Sequence, residues 1–123
     1  MAQQKYSKKQ NLKNFSLWKK KRLLFPSLDI ELTERCNYNC IHCSINQPRD
    51  RAKIRDKELS TDSLKRILKE AADFGCINVR FTGGEPLIKE NFQELYTFSR
   101  ELGFKVLVFT NGSLINQELV DLF

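Results

Sequence analysis

The residues with the clearest chemistry in this chain are three cysteines in a CxxxCxxC pattern, Cys36, Cys40 and Cys43. Thiolates are the protein ligands that iron–sulfur clusters and zinc prefer. Three thiolates in so short a segment can bind three irons of a [4Fe–4S] cluster and leave the fourth iron without a protein ligand. An open iron can bind a second molecule, so the spacing predicts a reactive metal centre.

Zinc is the alternative metal for this pattern. A closed structural zinc site needs four ligands, commonly arranged as two separated pairs. The remaining candidates are His42, the single histidine, and Cys76, the fourth cysteine. Cys76 stands at the start of a predicted strand, roughly 16 Å from the cysteine loop at ~3.3 Å per residue. The sequence therefore favours an iron–sulfur cluster, and we predict that Cys76 is a buried or semi-buried thiol.

The elements that must position these cysteines follow from the pattern of apolar residues. Short alternating or continuous apolar segments predict strands at residues 28–32, 77–81 and 104–109. A helical apolar period predicts helices at residues 61–75, 91–103 and 114–123. The third strand is almost wholly apolar, which is typical of strands buried in parallel sheets.

Two of the predicted helices carry end signals. Ser60 or Thr61 offers an N-cap to the first helix, and Gly75 is its expected C-cap. Asn91 can start the second helix, with Glu94 three residues later as the partner in a capping box.

Strands and helices in alternation build right-handed βαβ units with parallel strands. Three loops follow the carboxyl ends of the predicted strands: the cysteine loop (residues 36–43), the segment Gly83-Gly84-Glu85-Pro86, and Thr110-Asn111. Parallel α/β sheets place their active sites at this edge. We therefore expect the three loops to converge on one site.

Length and composition indicate one ordinary globular domain. The chain has 123 residues, of which 41% are hydrophobic and 29% charged. No apolar run approaches the ~18 residues of a membrane span, and no signal-peptide core follows the basic N-terminus, so we expect a cytoplasmic protein without a membrane partner. In that reducing compartment the four cysteines are expected to be metal ligands or buried thiols rather than disulfides.

The positive charge is concentrated in a basic N-terminal extension, residues 1–25. This segment carries eight of the 21 basic residues and no acidic residue, which leaves the remainder at a net charge of −2. Tyr6, Phe15 and Trp18 lie among these basic residues. We expect a solvated, partly helical tail, and the pattern is also compatible with binding to nucleic acid or to an acidic peptide.

A second basic segment covers residues 49–57. Its five basic residues alternate with others and would share one face if the segment were extended: Arg49, Arg51, Lys53, Arg55 and Lys57. Asp50, Asp56 and Glu58 reduce the local charge. We expect a solvated loop over the mouth of the fold, with contact to an anionic substrate as the alternative.

The cysteine loop, the glycine-rich loop after the second strand and the βα order together resemble the radical S-adenosylmethionine superfamily, over residues 26–123. The resemblance implies that Cys36, Cys40 and Cys43 bind a [4Fe–4S] cluster, whose fourth iron is chelated by the amino and carboxylate groups of S-adenosylmethionine. The cluster supplies one electron that cleaves this cofactor to methionine and a 5′-deoxyadenosyl radical, which abstracts hydrogen from a substrate. The resemblance thus implies a one-electron oxidoreductase of the radical S-adenosylmethionine type.

The same resemblance assigns expected roles at the cofactor. His42, in the family's aromatic position, is expected to lie against the adenine, although a zinc-ligand or surface role stays open. The backbone of Gly83 and Gly84 is expected to approach the ammonium group of the cofactor, because glycine has no side chain to block it. Glu85, followed by Pro86, is expected to orient the ammonium or to fix the loop.

Thr110 and Asn111 are placed by the predicted topology at the edge that would hold cofactor or substrate. The alternative is a simple strand-to-helix turn after the third strand. We carry both residues forward as candidate cofactor-binding residues.

The residues before the first cysteine and the Asn-Gly after the third strand are most similar to the peptide- and protein-modifying (SPASM-type) branch of the family. We therefore expect a peptide or protein substrate and an electron donor such as flavodoxin or ferredoxin. A basic tail also suits an enzyme acting on transfer RNA, and a small-molecule cofactor precursor is a further alternative. The alternative outside enzymology is a non-catalytic iron–sulfur module.

The family fold is a partial (βα)6 TIM-like barrel, at roughly 30 residues per βα unit. Residues 26–123 hold about three of these units. We therefore expect the N-terminal half of the barrel, belonging to a longer or split enzyme, with an unpaired third strand at its edge.

Overall fold

A three-stranded parallel sheet organises the computed structural model, which describes residues 26–45 and 47–123. Its strands are β1 (Ser27–Thr33), β4 (Asn78–Gly83) and β5 (Lys105–Val108), and they lie side by side in that order. The first residues of the three strands are paired in register, so the strands start level and end at one edge. The three predicted strands are confirmed. The basic N-terminal extension lies outside the described residues, and its predicted roles are untested.

The remaining elements connect these strands. A short parallel pair, β2 (Arg35–Cys36) and β3 (Gln47–Pro48), holds the ends of the cysteine loop together. The helices are α1 Ala52–Arg55, α2 Thr61–Asp73, α3 Phe92–Glu101 and α4 Gln117–Leu122, with a 3₁₀ turn at Pro86–Ile88. The order therefore contains two complete βαβ crossovers, one through α2 and one through α3.

The ends of α2 form as the sequence predicts. The Ser60 hydroxyl accepts a hydrogen bond from the Ser63 amide at 3.2 Å, which caps the first turn. Gly75 follows the last turn with φ of 92°, a left-handed conformation that glycine adopts without a steric cost.

The capping box predicted for α3 is wrong. Asn91 precedes the helix with φ of 62° and makes no side-chain cap, and its amide group donates to Thr61 at 3.3 Å instead. Glu94 pairs with Lys65 of α2. Both side chains are used to join α3 to α2, so tertiary contacts replace the local cap.

The apolar core lies on one face of the sheet. Val79 and Phe81 of β4 are fully buried there, next to Ile30 and Leu32 of β1. The helix residues of the same cluster are Leu64, Leu68 and Ala72 of α2 and Phe92, Leu95 and Tyr96 of α3. Both crossover helices therefore cover the same face, as in βα barrels, whereas a doubly wound sheet has helices on both faces.

The third strand is less buried than its apolar sequence predicts. Phe104 before it is fully buried, but the side chains of β5 are half-buried or exposed, and Phe109 after it is 53% exposed. The reason is that β5 is an edge strand with one neighbour in the described sheet. The parallel arrangement of the strands is confirmed, while the half-barrel and the six-unit barrel stay predictions.

The second face of the sheet carries polar side chains. Arg80 of β4 donates to Asp29 of β1 at 2.5 Å, and its guanidinium lies 5.7 Å from the centre of the Phe109 ring. In a closed βα barrel this face would line the interior.

Within the part of the chain that the structure describes, we find no helix with the length and apolar character that crossing a membrane requires.

Candidate cofactor-binding site at the carboxyl end of the sheet

Three loops meet where the parallel strands end. The cysteine loop leaves β1 through β2, the glycine-rich loop leaves β4, and the segment beginning at Thr110 leaves β5. Hydrogen bonds join each loop to the next. The convergence predicted from the topology is therefore present in the structure.

Two of the three thiols of the cysteine loop are exposed and the third is half-buried. Cys36 ends β2 and is half-buried, while Cys40 and Cys43 are exposed, with a 3.0 Å hydrogen bond from the Cys43 amide to the Cys40 carbonyl closing a tight turn. The amide of Tyr38 donates to the Cys36 sulfur at 3.4 Å. N–H groups aimed at a thiolate stabilise its negative charge and tune the potential of a bound iron–sulfur cluster.

An open cavity of about 420 Å³ lies beside Cys36 and is lined also by Asn37, Tyr38, Asn39, Pro48 and Arg49. His42 is exposed on the turn between the second and third cysteines. The chemistry of this donor set, three thiols in one accessible loop, fits an iron–sulfur cluster. In the described part of the chain, no three His, Cys, Asp or Glu side chains lie close enough together to hold a single metal ion.

Cys76 lies apart from this loop, as predicted. It is buried in the apolar core just before β4, at the opposite end of the sheet. Burial raises the pKa of the Cys76 thiol, which keeps it protonated and makes it a poor ligand for a metal.

The glycine-rich loop packs directly on the backbone of residues 33–35, which lead into the cysteine loop. The Gly84 amide donates to the Thr33 carbonyl at 2.7 Å, and the Glu85 amide donates to the Arg35 carbonyl at 2.8 Å. A Cβ atom on Gly84 would lie 2.3 Å from the Arg35 carbonyl oxygen, and one on Gly83 would lie 2.2 Å from that of Thr33. A side chain at either position would therefore collide with the neighbouring backbone, which is a requirement for glycine that the sequence did not show. Their contact with the cofactor stays a prediction.

Glu85 joins the glycine-rich loop to the loop after β5. Its side chain is fully buried, and its carboxyl oxygens accept hydrogen bonds from the Thr110 hydroxyl at 2.7 Å, the Asn111 amide at 2.8 Å and the Leu87 amide at 3.0 Å. Glu85 was expected either to orient the ammonium group of the cofactor or to fix the loop, and these contacts fix the loop. Pro86, also buried, begins the 3₁₀ turn that follows.

Asn111 closes the ring of contacts back to the cysteines. Its side-chain amide donates to Asn37 at 3.0 Å and lies 4.0 Å from the Cys36 sulfur. The Thr110 hydroxyl, by contrast, donates to the Glu85 carboxylate and accepts from the Gly112 amide. Asn111 is therefore the candidate from this loop that lies next to the Cys36 sulfur.

A buried ion-pair cluster behind these loops was missed by the sequence analysis. Glu58 accepts hydrogen bonds from the Arg35 Nε at 2.7 Å and the Lys89 Nζ at 3.0 Å, and also from the Thr33 hydroxyl. The charged side chains of Arg35, Glu58 and Lys89 are each at most 7% exposed. Arg35 immediately before the first cysteine was the available signal, but its partners are 23 and more residues away in the sequence.

The hydrogen bonds to Glu58 predict that the folded protein loses stability in acid. Burial by itself would raise the pKa of Glu58, but hydrogen bonds from Arg35, Thr33 and Lys89 outweigh it and hold the pKa below its usual value of 4.5. The folded state therefore binds this proton more weakly than the unfolded chain, and the contribution is complete above pH 4.5 and is lost as the pH falls through the lowered pKa. In urea unfolding of the cluster-free protein between about pH 6 and pH 3, wild type should lose more stability than Glu58→Gln. Parallel pH profiles would contradict this.

The basic segment at residues 49–57 does not present one charged face. Its central part is the short helix α1 rather than an extended chain, and Arg55 pairs with Glu90 at 3.8 Å. The condition for a shared face, an extended segment, is therefore not met. The basic residues are exposed as expected, while their place over the mouth of the fold and contact with an anionic substrate stay predictions.

The fold and the site define a class: a parallel βα sheet with an iron–sulfur type cysteine loop at its carboxyl edge. Residues 30–123 match the profile of the Radical SAM superfamily. The chain belongs to this superfamily, whose members use a [4Fe–4S] cluster and S-adenosylmethionine.

Similarity to curated proteins supports the assignment. The chain is 36% identical over 98 residues to the Fe-coproporphyrin III synthase of Methanosarcina barkeri, which covers 76% of this chain. It is 34% identical over 91 residues to the AdoMet-dependent heme synthase of the same organism, covering 74% of the chain. It is 35% identical over 89 residues to the PqqA peptide cyclase of Bradyrhizobium diazoefficiens, covering 72% of the chain. The matched regions span 23–25% of the lengths of these relatives.

Proposed function

We propose that this chain supplies the cluster-binding and cofactor-binding part of a radical S-adenosylmethionine enzyme. Cys36, Cys40 and Cys43 hold the [4Fe–4S] cluster, and the glycine-rich loop and Asn111 form the adjoining wall of the cofactor site. When bound, the cluster and S-adenosylmethionine supply reductive cleavage of the cofactor to methionine and a 5′-deoxyadenosyl radical that abstracts hydrogen from the substrate. An electron donor such as flavodoxin or ferredoxin delivers the electron.

One observation carries this proposal. The Gly84 and Glu85 amides donate to carbonyls of Thr33 and Arg35, directly before Cys36. The loop expected at the cofactor is therefore fixed to the loop expected at the cluster through adjacent residues. Such a fixed arrangement is what a reaction between two bound groups requires, since small displacements of reacting groups cost large factors in rate.

The substrate we propose is a peptide or protein. The residues before the first cysteine and the Asn-Gly after β5 resemble peptide-modifying members of the family, and one relative is named a PqqA peptide cyclase. The second candidate is a small-molecule precursor, because similarly close relatives are named Fe-coproporphyrin III synthase and heme synthase.

Cofactor cleavage tests the proposed function. Protein reconstituted anaerobically with iron and sulfide and then reduced should convert S-adenosylmethionine to methionine and 5′-deoxyadenosine in equal amounts, measured by chromatography. We expect slow cleavage by this chain alone, because the three-stranded sheet of the described residues leaves one side of the site open to solvent. Protein that takes up a cluster but forms no 5′-deoxyadenosine above the cluster-free control would instead support the non-catalytic iron–sulfur module.

A further inference from the structure

Glu58 connects the two loops of the proposed site from behind. One carboxyl oxygen accepts from Arg35 Nε at 2.7 Å and from the Thr33 hydroxyl, and both partners belong to the entry of the cysteine loop. The other oxygen accepts from Arg35 Nη2 at 3.2 Å and from Lys89 Nζ at 3.0 Å. Lys89 directly follows the 3₁₀ turn that ends the glycine-rich loop. A single carboxylate therefore holds one end of each loop.

The segment that Glu58 holds is the one to which other loops attach. The Gly84 amide donates to the Thr33 carbonyl at 2.7 Å. The Gln47 amide donates to the Glu34 carbonyl at 2.9 Å, and the Glu85 amide donates to the Arg35 carbonyl at 2.8 Å. Two of these bonds hold the glycine-rich loop. The bond from Gln47 holds the start of β3, where the chain returns from the cysteine loop. A change in the position of residues 33–35 would therefore move the backbone hydrogen bonds that the Gly84 and Glu85 amides make.

We propose that Glu58 is a positioning residue that sets the placement of the cysteine loop relative to the glycine-rich loop. Its carboxylate locks the Thr33 and Arg35 side chains, and through their carbonyls it fixes the Gly84 and Glu85 amides. The consequence for cofactor binding rests on the proposed function, whereas the locking of the loops does not. Glu58 acts through these residues, since its hydrogen-bond partners are Thr33, Arg35 and Lys89 rather than any cysteine.

A general stabilising role is the competing explanation. Removing one partner of a buried ion pair leaves the remaining charges uncompensated and destabilises the folded protein as a whole. A positioning role predicts a local effect instead. The two explanations differ in which backbone amides lose protection from hydrogen exchange, because local opening and global unfolding expose different sets of amides.

Hydrogen exchange of the cluster-free protein separates them. In Glu58→Ala, exchange at the Gly84, Glu85 and Gln47 amides should accelerate about tenfold or more relative to wild type. The Lys105 and Phe109 amides, which donate to the carbonyls of Ile77, directly before the central strand β4, and of Phe81 within it, should exchange as in wild type. Glu58→Gln keeps an acceptor for Arg35 and Thr33 and should give a smaller change at the same amides. Glu94→Gln, which removes a more exposed ion pair with Lys65, is the matched control and should change none of them.

Cofactor binding to the cluster-loaded protein is the second measurement. Titration of S-adenosylmethionine, followed by the electron paramagnetic resonance spectrum of the reduced cluster, should show about tenfold weaker binding in Glu58→Ala at unchanged iron content. Glu94→Gln should bind as wild type does.

Three results would overturn the proposal: unchanged exchange at Gly84 and Glu85 in Glu58→Ala, equal acceleration across the whole sheet, or a local acceleration with unaltered cofactor affinity. If wild type itself takes up no cluster, or its spectrum does not respond to the cofactor, the proposed function fails. The hydrogen-exchange comparison then still decides whether Glu58 holds the loops together.

Discussion

Replacing Cys36, Cys40 or Cys43 by alanine is expected to abolish assembly of the iron–sulfur cluster. Wild-type protein reconstituted anaerobically should contain about four irons per chain and show the broad visible absorption of a [4Fe–4S] cluster. Each of the three thiolates is expected to bind a different iron, so the two that remain in a variant should not hold the cluster against solvent and thiols. Iron content, sulfide content and visible absorption are the measurements.

Cys76→Ala is the matched control for these variants. The Cys76 thiol is buried in the core, and its raised pKa disfavours the thiolate that metal ligation needs. The variant should therefore retain the iron content of wild type. Stoichiometric, tightly bound zinc with no cluster uptake in the wild type would contradict the cluster assignment, and loss of iron in Cys76→Ala would contradict the ligand set.

The sheet and its helices were predictable because their signals are local. Alternation at residues 28–32 and the helical period through Leu64 and Leu68 each reflect one buried face, and the structure buries those faces. The parallel order followed from the alternation of strands and helices. Convergence of the three loops then required no further information, since parallel strands that start level also end at one edge.

Contacts between distant segments were not predictable in the same way. The pair β2–β3 has two residues in each strand, too few to show a period. Glu58 lies in a polar segment of the sequence, which predicts a solvated side chain. In the structure it is buried between Arg35 and Lys89. The capping box at Asn91 failed for the converse reason, because a local signal was replaced by contacts with α2.

The chemistry of the glycine-rich loop shows the same division. The sequence located Gly83, Gly84 and Glu85 at the correct edge, but it could not show what surrounds them. In the structure, Glu85 faces three protein donors and the glycines face the backbone of residues 33–35. These residues therefore assemble the site, whatever further contacts they make with a bound cofactor.

Gly84→Ala is expected to destabilise the protein and to impair cluster assembly together. The added Cβ would lie 2.3 Å from the Arg35 carbonyl oxygen and 2.7 Å from that of Glu34. Both neighbours are backbone atoms, which cannot rotate away as a side chain can. The loops must separate, which weakens the hydrogen bonds from Gly84 and Glu85. Overpacking at the upper end of its usual range and two weakened hydrogen bonds together cost about 3–5 kcal/mol.

The position of the clash connects stability to the cluster. Arg35 precedes Cys36 directly, so a displaced Arg35 carbonyl displaces the first ligand, and iron uptake in Gly84→Ala should fall well below that of wild type. Gly112→Ala is the control: its φ is also positive, at 78°, but no atom lies within 4 Å of its added Cβ. It should lose only about 1–2 kcal/mol, for the left-handed backbone, and should keep its iron.

Urea unfolding of the cluster-free variants and iron content after reconstitution distinguish two explanations of the glycine. If Gly84→Ala keeps wild-type stability and iron but no longer binds S-adenosylmethionine, the residue is small to admit the cofactor, and the close packing on Arg35 is not what selects it. If stability and iron fall together while Gly112→Ala retains its iron, glycine is required so that the two loops can touch. The structure predicts the second result, because the space beside the Gly84 Cα is already filled by the chain.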